Sequence, residues 1–251
     1  VADLKKSVTR RDFLKTSGIA AGTLVGGGII GGLVGYNVKK DGPATTTTTE
    51  VPHATSDANV NRGLMFFQNR HDFDVLSQAT ERIFPEDDLG PGAIGLGVPY
   101  FIDNQLAGNY GSNSKEYMQG PFFPGTPTQG YQSILTRSEI FLQGVHVMEI
   151  EAKKRFDKSF TDIEPEQMDQ ILTDLQKDEI EMRGVTAGFF FRLLRSATIE
   201  GAYSDPLYNG NVNMEGWKMK GFPGHQMSYL NVIEEEKFQK IEPKSLSSMQ
   251  H

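Results

Sequence analysis

At 251 residues, 37% hydrophobic and 23% charged, the chain has ordinary globular composition and length for one sizeable core or two small ones. The formal charge of −7 is uneven: residues 1–44 hold 7 of the 25 Lys/Arg and 3 of the 32 Asp/Glu, which leaves 18 against 29, a net −11, for the rest. An acidic body argues against nucleic acid as a partner, since that affinity comes from neutralising phosphates. The absence of cysteine excludes disulfides, thiol catalysis, Cys-ligated zinc, iron–sulfur clusters and covalently attached c-type haem.

Arg10 and Arg11, with Phe13 and Leu14 behind them, precede an uncharged stretch over 16–38 that ends at Lys39 and Lys40. A charged start, a modestly apolar middle and a polar exit make a secretion signal, and the paired arginines mark the twin-arginine route. The expected location is therefore the outer face of the cytoplasmic membrane. Glycines at 18, 22 and 26 and at 27, 31 and 35 give the small-xxx-small pattern of packed membrane helices. The stretch is long enough for an uncleaved anchor. The same glycine richness also suits a weakly hydrophobic signal that is cut off, and both readings stand. Residues 1–40 are thus read as signal or membrane anchor, 41–59 as a Thr/Pro-rich linker, and 60–251 as the folded domain.

In that domain, Phe73, Leu76, Ala79, Ile83 and Phe84 predict a helix over 72–84, stopped by Pro85. Val98, Phe101, Ile102 and Leu106 predict a second over 94–106. Residues 111–132 mix Gly, Pro, Ser, Thr and Asn with Tyr117, Phe122, Phe123 and Tyr131, the pattern of a long ordered loop. A helix follows over 136–156, opened by the capping-box sequence Thr136 to Glu139, with Ile140, Val147, Ile150 and Phe156 expected to face inward. Pro165 suits the first turn of a shorter helix over 164–177. The run 186–199 is apolar on most sides and belongs in a core. The expected fold is mainly α: a compact helical domain with long ordered loops, behind a signal helix and a flexible linker.

Chemistry-bearing patterns are sparse. His146 and Glu149, with Glu81 or His71 as distant additions, are candidate metal ligands, but a di-iron bundle needs the Glu-x-x-His order twice and this order is reversed and single. Glu86, Asp87 and Asp88 lack calcium-loop spacing and read as a solvated turn. No nucleophile elbow, phosphate loop or dinucleotide fingerprint is present. No catalytic, cofactor-binding or metal residue is therefore assigned in this chain.

The segment 201–224 is different. Gly201, Ser204, Asp205, Pro206, Tyr208, Asn209, Gly210 and Asn211, then Gly216 and Trp217, then Gly221, Phe222, Pro223 and Gly224, combine turn formers with aromatics and hold the only tryptophan. It reads either as a cap over the helices or as a partner surface, with Asp205, Tyr208, Asn211, Trp217, Phe222 and Pro223 as the interface candidates.

These motifs, with the opening run from Ala79 to Pro85 and Tyr100 to Asp103, resemble the gluconate 2-dehydrogenase subunit 3 family, the small or gamma subunits of membrane-bound sugar and sugar-acid dehydrogenases. The similarity spans about 73–224; Asn209 stands where the family often has Gly, and the tract after Tyr229 is charged and unlike it. The resemblance implies a non-catalytic subunit with no cofactor of its own. It would bind a large FAD-dependent oxidoreductase subunit of the glucose-methanol-choline type and assist its folding and twin-arginine export. A haem-bearing cytochrome subunit or a quinone would accept the electrons. The competing reading is a self-contained exported metal or flavin oxidoreductase.

Overall fold

The computed structural model describes residues 63–249, apart from 124, 127, 128 and 131. Arg10, Arg11, Phe13 and Leu14, the linker and Tyr131 lie outside the described residues. Within them the regular structure is helical. Six α-helices run in chain order: α1 Arg70–Ile83, α2 Val98–Ala107, α3 Arg137–Phe156, α4 Pro165–Gln176, α5 Ala187–Tyr203 and α6 Glu215–Lys220. The only β pairings among the described residues are isolated bridges, Asp87 with Gly90 and Gly224 with Lys244.

Local chemistry sets the helix ends. The Asn69 side chain accepts the His71 amide at 3.0 Å at the start of α1. At α3 the Thr136 hydroxyl accepts the Glu139 amide and the Glu139 carboxylate accepts the Thr136 amide, so the expected capping box is formed. Gln167 returns a bond to the Glu164 amide before α4, and Thr186 caps α5. The second helix begins four residues later than its periodicity predicts, because Gly97 at φ 75° breaks the helical path just before Val98. Residues 94–97 form turns instead.

α5 is the axis of the domain and packs against α1, α2, α3 and α4. Its Phe190, Phe191, Leu194 and Ala202 are buried, as its apolar composition predicts. Each large side chain so enclosed contributes about 1.5–3 kcal/mol. α3 meets α5 at Gly144. A Cβ there would run into the Phe190 ring, and Phe190 in turn stands edge-on to Phe141 with centroids 5.8 Å apart. This contact fixes the phase of α3. The inward residues are Ile140, Phe141, Val145, Met148 and Ala152, whereas Ile150 is exposed and Val147 and Phe156 are only partly covered. The sequence expectation was correct for Ile140 alone.

Polar ties lock the periphery. Arg82 of α1 donates through Nε and Nη2 to both carboxylate oxygens of Asp169 of α4, at 2.8 and 2.7 Å. Arg155 of α3 bonds Glu151 at 2.7 Å and Asp174 of α4 at 2.5 Å. The buried Asp103 of α2 accepts the backbone amides of Met65, Phe66 and Phe67 at 2.6, 3.1 and 2.9 Å, which fastens the segment before α1 to the core. Asn113 accepts the Arg137 amide at 2.9 Å, and Glu116 pairs with Arg137 at 2.7 Å. The loop between α2 and α3 is thereby bolted to the start of α3.

Candidate functional site

The segment after α5 folds into a succession of tight turns. Asp205 caps the 3₁₀ turn Pro206–Tyr208 by accepting the Leu207 amide at 2.9 Å. Asn211, fully buried at φ 48°, donates to the Ser204 carbonyl and accepts the Gly216 amide, both at 2.8 Å. Its side chain thus joins the end of α5 to the start of α6. The Val212 amide reaches the Leu96 carbonyl at 3.0 Å and ties the turns to the entry of α2.

Trp217 lies inside this construction. Its indole Nε1 donates to the Tyr203 carbonyl at 2.7 Å, and its ring meets Phe222 edge-on at 5.4 Å. Gly224, at φ 66°, passes so close that a Cβ would strike both the Trp217 ring and the Lys244 carbonyl. Only glycine fits there, on conformation and on space alike.

The C-terminal segment returns to close the turns. The His225 amide donates to the Lys244 carbonyl at 2.8 Å, and the Lys244 amide donates to the Pro223 carbonyl at 3.2 Å. The Ser245 hydroxyl then donates to Asp205 Oδ1 at 2.6 Å and the Leu246 amide to Oδ2 at 2.8 Å. Burial alone would push the Asp205 carboxyl up. The bonds from Ser245, Leu246 and Leu207, with His225 nearby, outweigh it and hold the group below its ordinary value.

The six interface candidates therefore fall into two groups. Tyr208 and Phe222 are about half exposed, and Pro223 is partly covered. Asn211 and Trp217 are enclosed by this chain's own atoms, and both Asp205 oxygens are taken by internal donors. The enclosed residues hold the shape of the turns. Beside Tyr208 runs an open groove of about 540 Å³, lined mainly by apolar atoms, with Phe101 and Gln105 from α2 facing Ile199, Glu200 and Tyr203 from α5. Glu200 reaches solvent at the rim. Even so, the surrounding walls withhold water and push its carboxyl above the ordinary range, with Arg137 partly offsetting them.

The metal candidates are separated into pairs. His146 faces Asp72 and His71 faces Glu149, each at 3.4 Å, while Glu149 also accepts the Ser159 hydroxyl and the Phe160 amide. Glu81 is directed elsewhere, to the Glu86 and Ile94 amides. Among the described residues no group of three or more His, Asp or Glu side chains is placed to hold a metal ion. Glu86, Asp87 and Asp88 belong to an exposed turn in which Asp87 caps the Leu89 amide.

Sequence reasoning missed Ser245 and Leu246, whose partner Asp205 is forty residues away. It also missed the groove, whose two walls come from helices distant in sequence. The density of Gly, Pro and Asn around Asp205 was the one available signal that the segment is built to a fixed shape.

Fold and site together define a small helical domain with a rigid, clasped loop surface at the end of its central helix. The chain belongs to the gluconate 2-dehydrogenase subunit 3 family, whose sequence pattern matches residues 70–224, from the start of α1 to the glycine under Trp217. It is thus a member of a family of small subunits of a dehydrogenase complex. No curated protein and no solved structure matches the chain.

Proposed function

We propose that this chain is the non-catalytic small subunit that binds a large FAD-dependent oxidoreductase subunit of sugar, polyol or gluconate dehydrogenase type. It assists the folding of that subunit and accompanies it through the twin-arginine route to the outer face of the cytoplasmic membrane. FAD is expected in the large subunit, and a cytochrome subunit or a quinone as the electron acceptor. The observation that carries this reading is the family match ending within the clasped turn surface. There Tyr208 and Phe222 stand half exposed on a scaffold held by Asn211, Trp217 and Asp205. Rigid aromatic side chains on a preorganised loop are the composition and geometry of binding hot spots.

Export gives the first test. Arg10→Lys together with Arg11→Lys should strand both this chain and the proposed large FAD-dependent subunit in the cytoplasm. The tagged wild-type chain should purify from the exported fraction with bound flavoprotein. If the flavoprotein is exported in normal amount from cells lacking this chain, and the chain purifies alone, the proposal fails.

A further inference from the structure

Beyond the clasp at Gly224 and Lys244 the chain makes a closed excursion over residues 226–243. Its base is held by the backbone bonds among Pro223, His225 and Lys244 and by Asp205 gripping Ser245 and Leu246. Inside it, the Val232 amide bonds the Tyr229 carbonyl and the Glu235 amide bonds the Val232 carbonyl, so the tip is itself folded into turns. The excursion nevertheless leaves four large apolar side chains outside: Met227 is 78% exposed, Leu230 78%, Ile233 70% and Phe238 94%. Scattered surface apolar residues need no explanation. Four on one loop of 18 residues, each at least 70% exposed and with both ends of the loop fastened, are more than scatter and point to an interaction site.

Charge narrows what covers it. Glu234, Glu235 and Glu236 stand consecutively between Ile233 and Phe238, with Lys237 and Lys240 following. A membrane-surface segment carries cations beside its apolar residues, because bilayer surfaces are anionic, and three adjacent glutamates oppose that placement. A protein cleft that is apolar inside and basic at its rim satisfies both features. The excursion lies just past the last residue matched to the family pattern, while its base is fastened to Asp205 inside that pattern.

We propose that residues 226–243 are an arm, aimed by the Asp205 clasp, that docks in an apolar, basic-rimmed cleft of the large dehydrogenase subunit. This rests on the reading above that such a subunit is the partner. The arm extends the interface beyond Tyr208 and Phe222, past the last residue of the family match.

The test is co-expression of the full chain with the proposed large FAD-dependent subunit, followed by purification on a tag carried by the small chain. Bound flavin absorbance per chain is the readout. Two variants are compared with the wild type: one with Met227→Ser, Leu230→Ser, Ile233→Ser and Phe238→Ser, and one with Glu234→Lys, Glu235→Lys and Glu236→Lys. Both change exposed positions, so thermal midpoints should stay at the wild-type value. The expected result is at least a tenfold loss of bound flavin in each. Full flavin retention by both variants overturns the arm and leaves the proposed function standing. A wild-type chain that carries no flavoprotein overturns the proposed function and the arm with it. Two further results would also overturn the arm: a dimer of the chain alone that the serine variant abolishes, or wild-type binding to phosphatidylcholine–phosphatidylglycerol vesicles that the serine variant loses.

Discussion

Two buried or clasped aspartates do comparable work at opposite ends of the described chain, and their substitutions separate global from local stability. Asp103 accepts three amides from 65–67 in the interior. Asp103→Ala would leave those donors unsatisfied, a loss of about 3 kcal/mol that a denaturant melt should record. Asp205 instead holds a peripheral closure, so Asp205→Ala should leave the global melt nearly unchanged. It should speed exchange of the Leu246 amide by roughly thirtyfold, the equivalent of about 2 kcal/mol of lost bonds to a charged acceptor. The clasp is pH-sensitive in a definite direction. Burial raises the Asp205 carboxyl and the bonds from Ser245, Leu246 and Leu207 lower it further than burial raises it, so its folded value lies below its unfolded one. Its contribution is complete above the unfolded value of about 4 and is lost as pH falls through the folded value. Protection of Leu246 should therefore disappear in acid before the helical signal does.

At the scale of elements, α3 shows what periodicity resolves and what it leaves out. The capping box at Thr136 and Glu139 was legible because all its atoms lie within one turn. The inward face was not, since α3 meets α5 at Gly144, a residue with no hydrophobic signal, placed there because the Phe190 ring occupies the space of a side chain. Val147 and Ile150 look like core residues by composition and are turned away by that contact. Gly144→Val should accordingly overpack the α3–α5 seam and cost about 1–3 kcal/mol, whereas Ile150→Val should change stability by well under 1 kcal/mol. Paired chemical melts of the two variants check the assignment, and equal losses would contradict it. The same limit explains the candidate site. Local turn chemistry announced a shaped loop at 201–224. Which of its aromatics point inward depends on α2, α5 and the returning Lys244 to Leu246, and no local pattern encodes those approaches.

For the whole molecule, the carboxylates with shifted affinities set the pH profile of folding. Glu116 is held low chiefly by its bond to Arg137. Glu151 is raised by burial but lowered further by Lys154 and Arg155, and Asp205 is lowered by its clasp. All three lose their contribution as pH falls through their folded values, but the Asp205 part is local to the clasp, so only Glu116 and Glu151 bear on the global melt. Because Glu116 is partly exposed and pairs near the surface gain little, their joint effect should be modest, a fall in thermal midpoint of roughly 5 °C between about pH 5 and pH 3. Glu200 acts with the opposite sign. Burial at the groove rim raises its carboxyl, so its contribution is complete below the unfolded value of about 4 and is lost as pH rises through the folded value. The wild-type midpoint should thus dip slightly on passing from about pH 4.5 towards 7, against the trend of Glu116 and Glu151. Glu200→Gln should remove that dip and leave the acid limb intact. A Glu200→Gln profile that keeps the dip would place its origin elsewhere than the groove. Partner binding that covers the groove should deepen it, because further loss of water around Glu200 raises the same carboxyl again.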